Sequence, residues 1–101
     1  MAFSDYPQAM SNNAKTGQML NQRQGGKCAT AVGKETARIL VGRRPLSKAR
    51  VKRMHAYLQR AETYYDPKDK TACGTISYLL WGGLAAKRWA AAKVREIDSE
   101  G

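Results

Sequence analysis

Residues 46–63 read LSKARVKRMHAYLQRAET, and this stretch decides the fold class. Ser47 is placed as a helix N-cap, and Leu46 before it can pack on Val51 as a hydrophobic staple. At about 100° per residue, Val51, Met54, His55, Leu58 and Ala61 fall on one side, and Ala49, Lys52, Arg53, Ala56 and Arg60 on the other. The stretch therefore reads as an amphipathic helix reaching about Thr63, with an apolar stripe opposite a face that is cationic yet low in profile.

The flanking sequence continues the helical pattern. Toward the N-terminus, Arg43, Arg44 and Pro45 make a turn, and before them Thr30 to Val41 form a helix capped by Thr30 and stopped by Gly42. That helix offers Val32, Ala37, Leu40 and Ile39 to a core. An earlier helix runs from about Pro7 to Gln22, with Asp5 as its cap and Tyr6, Met10, Ala14, Gly17 and Leu20 on one side; Gly25-Gly26 end it. Beyond Thr63, Pro67 forbids helix in the polar loop from Tyr64 to Lys70. A fourth helix follows from about Ala72 to Leu80, and Trp81-Gly82-Gly83 interrupts it. A fifth runs from about Leu84 to Ile97, with Ala86, Trp89, Ala90 and Val94 for the core. Alternating strand patterns are scarce. The expectation is an all-α single domain of four to five helices over residues 1–101, with 1–6 and 98–101 loose. Its core should include Leu40, Val51, Met54, Leu58, Leu79, Trp81 and Trp89.

A chain of 101 residues fills one core, and 43% hydrophobic residues place it among folded proteins. Its 18 Lys and Arg against 8 Asp and Glu leave a net charge of +10, which attracts polyanions. Between Glu35 and Glu62 there is no acid, while Arg38, Arg43, Arg44, Lys48, Arg50, Lys52, Arg53 and Arg60 supply eight positive charges. A solvated basic face is the plain reading of that run; a surface that meets an anionic partner is the functional one. The longest apolar run, Ile76 to Ala86, is shorter than the roughly 20 residues that cross a bilayer.

Catalytic and metal signatures are weak. Cys28, Cys73 and His55 supply at most three zinc ligands and none at the usual spacing. The cysteines read as buried free thiols in an intracellular protein without a signal peptide, although each precedes a helix in similar surroundings, which leaves a contact between them open. His55 lies on the apolar side without a carboxylate or serine partner in sequence, and nothing orders an oxyanion site around Cys28 and His55. Gly33-Lys34 is followed by Glu35, and Cys28 stands where a nucleotide loop needs its first glycine. The turn from Gly42 to Leu46 is longer than the roughly three or four residues of a helix-turn-helix, and Pro45 stiffens it.

Three pieces in this order resemble a family of small domains of tailed phages and prophages, encoded beside or fused to head genes such as the head-maturation protease. They are Cys28-Ala29-Thr30-Ala31-Val32-Gly33; Pro45-Leu46-Ser47 with Val51-Lys52-Arg53-Met54; and Cys73-Gly74-Thr75 leading to Leu80-Trp81-Gly82-Gly83 and Trp89-Ala90. The resemblance covers about Asn13 to Asp98. Leu84 and Ala61-Glu62 depart from it, standing where the family carries an acid after the double glycine and a His-Glu pair. It implies a phage-head setting and no catalytic residue.

Together these readings lead to a non-enzymatic, head-associated virion protein, present in the host cytoplasm during assembly and needing no cofactor or metal. It would dock on head or capsid proteins, or on packaged DNA without sequence preference, and not on a membrane. The docking residues are expected to be Arg43, Arg44, Lys48, Lys52, Arg53, Arg60, Lys87 and Arg88, joined by Lys93 and Arg95. The rival reading is a free phage DNA-binding regulator.

Overall fold

The computed structural model describes residues 2–100, Glu100 by its backbone only. Five helices make an all-α fold: α1 (Gln8–Arg23), α2 (Ala31–Val41), α3 (Lys48–Ala61), α4 (Cys73–Leu80) and α5 (Gly83–Glu100). A single 3-10 turn, Glu62–Tyr64, follows α3. Two caps act as expected: Thr30 Oγ1 accepts from Gly33 N, and Ser47 Oγ accepts from Arg50 N.

The helices pack in two pairs. In one, α1 lies against α4 and also carries α2; in the other, α5 runs antiparallel along α3, with Lys52 opposite Asp98 and Glu62 opposite Lys87. The apolar stripes predicted for α1 and α3 are the ones buried: Tyr6, Met10, Ala14 and Leu20 from the first, and Val51, Met54, Leu58 and Ala61 from the third. Leu40 and Trp81 are likewise buried, whereas Leu79 and Trp89 are partly buried and pack against the core from its edge. At Gly17 the two helices of the first pair nearly touch, for a Cβ there would lie 2.8 Å from the backbone nitrogen of Leu80.

Four expectations are corrected. The N-terminal segment is ordered: Ala2–Phe3 (β1) pairs antiparallel with Leu46–Ser47 (β2), a ribbon too short to show as an alternating pattern. Tyr6 is 2% exposed and its hydroxyl donates to the carbonyl of Arg44 at 2.7 Å. Asp5 does not cap α1, whose first turn follows Pro7; it bonds Lys93 of α5 at 2.7 Å instead. At the other end α5 stays helical through Glu100, so residues 98–100 are not loose, because Ile97 is buried and draws the last turn onto the body. Met1 and Gly101, also expected loose, lie outside the described residues. Finally, Cys28 and Cys73 are not free thiols but a disulfide, with Cα atoms 4.7 Å apart. The packing of α1 between α2 and α4 brings the loop before α2 to the first residue of α4, which no sequence spacing shows.

The N-terminal strap also has a charge lock. Lys93, 14% exposed at its side chain, lies over the rings of Phe3 and Trp89 and donates to Asp5. This hydrogen bond holds the Asp5 carboxyl below its usual range and raises Lys93.

Three outcomes follow from this packing. Gly17→Ala should destabilise the fold by about 1–3 kcal/mol in a urea melt through overpacking, even though alanine gains roughly 1 kcal/mol in helix propensity. The bridge closes a loop with a sequence separation of 45, for which loop entropy gives about 4 kcal/mol; reduction should lower the melting temperature markedly, and non-reducing mass analysis should find no free thiol. Because Asp5 is depressed in the folded state, its contribution is complete above the ordinary Asp value and lost as pH falls through the depressed one. Acid should therefore loosen the strap, read as a change in Trp89 fluorescence that Asp5→Asn removes. The step should be small, since Asp5 is 62% exposed.

Candidate anion-binding face

The α3 helix presents its cations because its apolar stripe is fully used inside. With Val51, Met54 and Leu58 buried, the opposite residues Ala49, Lys52, Arg53, Ala56 and Arg60 are all exposed, as their angular positions predict. Ala49, Arg53, Ala56 and Arg60 follow one another at intervals of four, three and four along a single edge of the helix. Arg53 and Arg60 are thus about 10.5 Å apart along the axis, at roughly 1.5 Å per residue. The small alanines between them leave the edge low enough for another chain to approach.

The other cations named from sequence divide into free and engaged. Arg43 is exposed but is held by the fold. After the α2 C-cap at Gly42 the chain turns through a positive φ of 54° at Arg43, which sends its side chain back over the Tyr6 ring at 4.4 Å. There Nη2 donates to the carbonyl of Tyr6 at 2.7 Å, and Nη1 to Ser11 Oγ at 2.8 Å and the Pro7 carbonyl at 3.2 Å. Lys93 is engaged in the strap, and Lys87 is neutralised by Glu62 at 2.6 Å. Arg50, half-buried, donates to Thr36 Oγ1 and ties α3 to α2. Lys52 has only a long contact of 3.9 Å with Asp98. Arg44, Lys48, Arg53, Arg60, Arg88 and Arg95 have no acidic partner among the described residues, and all six are exposed.

The described carboxylates account for this imbalance. Asp5 and Glu96 meet Lys93, Glu35 meets Arg38, Glu62 meets Lys87 and Asp98 faces Lys52. Asp66 and Asp69 accept backbone N–H groups in the loop before α4. None of them reaches the edge occupied by Arg53 and Arg60.

That edge borders a groove of about 460 Å³ lined by Thr30, Val32, Arg53, Ala56, Tyr57, Arg60 and Trp81. Tyr57 stacks on Trp81 with ring centroids 4.4 Å apart and planes at 17°, and its hydroxyl shares a 2.6 Å hydrogen bond with Ser77 Oγ. Sequence reasoning assigned Trp81 to the core and passed over Tyr57. Trp81 is in the core, 4% exposed, and it also lines the groove. The helical offset of Tyr57, four from Arg53 and three from Arg60, was the available signal. The start of α2 as the opposite wall was not legible.

Nothing assembles around His55. It is half-buried with Nδ1 unpartnered, and the sulfur of Cys28 is bonded to Cys73, so the two do not form a nucleophile and base. Among the described residues no three His, Cys, Asp or Glu side chains gather as metal ligands, and no helix is long and apolar enough to cross a membrane.

No protein-family model matches the chain, and no curated protein or solved structure matches it either, so the reading of this face rests on its geometry and charge.

Proposed function

We propose that this protein is a non-enzymatic, head-associated component of a phage particle that holds packaged DNA through the cationic edge of α3. The observation that carries the proposal is the pair Arg53 and Arg60, exposed on one low edge and paired with no carboxylate among the described residues, whose acids serve the fold elsewhere. Uncompensated guanidinium groups in a row are suited to a phosphate backbone, which offers acceptors at regular intervals and carries no sequence information. Arg44 and Lys48 extend the edge toward the turn, and Arg88 and Arg95 add charge on α5. The phage-head setting comes from the resemblance of the chain's ordered motifs.

The disulfide favours the particle over a free regulator. Disulfides persist where thiols are not kept reduced, and a particle component leaves the reducing cytoplasm with its host's lysis, whereas a regulator works within it. The long turn between α2 and α3 also supports the particle reading. It is stiffened by Pro45 and tied into a ribbon by β1, which leaves α3 without the projecting geometry of a recognition helix.

Binding to mixed-sequence duplex DNA should weaken with salt by about 0.9 log unit per log unit of salt for each phosphate neutralised, and should differ little between sequences. Reversing Arg53 and Arg60 to Glu should weaken binding on all sequences alike and lower that slope by about 1 for each phosphate left without its arginine, with the helical spectrum unchanged. Quantitative mass spectrometry of purified virions should find the protein at stoichiometric level. Its absence from the particle, with DNA binding intact, would return the regulator. Incorporation lost in the double variant without any DNA binding would instead assign the face to an acidic head protein.

A further inference from the structure

We infer that the groove between the start of α2 and the edge of α3 is a seat for one phosphodiester group, with the indole N–H of Trp81 as a donor to it. This rests on the DNA reading above and names the point of contact.

The inference starts from an unpartnered donor. Trp81 is 4% exposed as a whole residue and lines the groove, and its indole N–H donates to no group among the described residues. The nitrogen lies against the first turn of α2: a Cβ placed on Gly33 would be 3.1 Å from Trp81 Nε1 and 3.5 Å from Thr30 Oγ1. Only glycine lets the indole edge come so close. Unlike the sealed Nε1 of Trp89, that of Trp81 is not shut off from the groove.

The first turn of α2 supplies more donors. Thr30 uses its side chain on Gly33 N and its carbonyl on Lys34 N, and the amides of Ala31 and Val32 precede the first residue that can bond within the helix. These N–H groups carry the positive end of an eleven-residue helix. From the other wall come Arg53 and Arg60. Thr30 and Val32 of α2, Arg53 and Arg60 of α3 and Trp81 thus line one groove from separate elements.

Such a set calls for an anion whose oxygens accept from several directions, which is the chemistry of a phosphate group. The groove, at about 460 Å³, has room for more than a free ion. Sugar on either side of a chain-internal phosphate would rest on Ala56 and the Tyr57 ring. The disulfide holds the arrangement, because Cys28 lies two residues before the Thr30 cap and Cys73 begins the helix that ends at Trp81.

The test is an NMR titration of the ¹⁵N-labelled full chain with a short mixed-sequence DNA duplex and, separately, with inorganic phosphate. The duplex should move the Trp81 indole signal and the Ala31 and Val32 amides, while the Trp89 indole stays still as an internal control. Trp81→Phe keeps the ring and removes the N–H, so it should lower DNA affinity about tenfold. Because no charge is lost, the salt slope should remain that of the unaltered protein. This separates it from the Arg53 and Arg60 reversal, which changes the slope. DNA that binds with the expected slope while the Trp81 indole does not move overturns the seat and leaves the docking function standing. Indole movement with phosphate but no DNA binding overturns both the phosphodiester assignment and the DNA reading. Should Trp81→Phe fail to fold, the indole signal of the unaltered chain decides alone.

Discussion

The chain reverses at Trp81-Gly82-Gly83, and the two helix pairs are joined there. Trp81 ends α4 with a residue that is neither extended nor helical, and the two glycines follow at φ of 102° and 67°, values that residues with a Cβ rarely adopt. Space allows nothing larger: a Cβ on Gly82 would lie 2.5 Å from that of Ala86, and one on Gly83 would lie 2.7 Å from Asn13 Nδ2. Asn13 locks the corner by donating to the carbonyl of Gly82 at 2.9 Å, so α1 holds the point from which α5 departs toward α3. The indole beside this corner fills the space where α2, α3 and α4 meet, and it does so with one edge at the surface.

Several polar groups of the interior are satisfied by groups of other elements. Ser11 Oγ donates to the carbonyl of Leu40 at 2.7 Å, Asn21 accepts from the amide of Cys28, and Thr75 exchanges hydrogen bonds with the backbone of Asp66. Tyr78 donates to the carbonyl of Leu58 at 3.0 Å; burial first, and then the charge of Glu62, push its hydroxyl up to about 12, so it remains a donor across the physiological range. Each of these bonds closes a helix end or a loop against another element. They explain how short helices such as α4, with no side-chain cap, keep their ends in place.

The same economy shapes the surface charge. Arg43 and Lys93 lie on aromatic rings and complete hydrogen-bonded networks, where the long stem packs and the charged head finds oxygen. Because these cations and the described acids serve the fold, the excess positive charge collects where the fold does not use it. Self-repulsion of the remaining guanidinium groups is tolerable on a solvated edge and would be relieved by a polyanion. Stability thus draws on one set of cations in the basic sequence, and the proposed binding on another.

Helix positions, two of the caps, the buried stripes of α1 and α3 and the cationic edge opposite the latter were legible from residues alone, because each depends on chemistry within a turn or two of the chain. What the sequence could not show depends on which helices become neighbours. The bond between Cys28 and Cys73, the β1–β2 ribbon, the Asp5–Lys93 lock and the hydrogen bonds of Arg43 to Tyr6, Pro7 and Ser11 all join positions that local periodicity treats as independent. Arg43 and Arg53 are both exposed arginines in the same basic run, yet one is hydrogen-bonded over Tyr6 and the other has no acidic partner among the described residues. Only the path of the backbone after Gly42, and the packing of α1 against that turn, made the difference. The groove has the same origin, since the first turn of α2, the edge of α3 and the indole of Trp81 come from three separate stretches whose convergence exists only once the helices have packed.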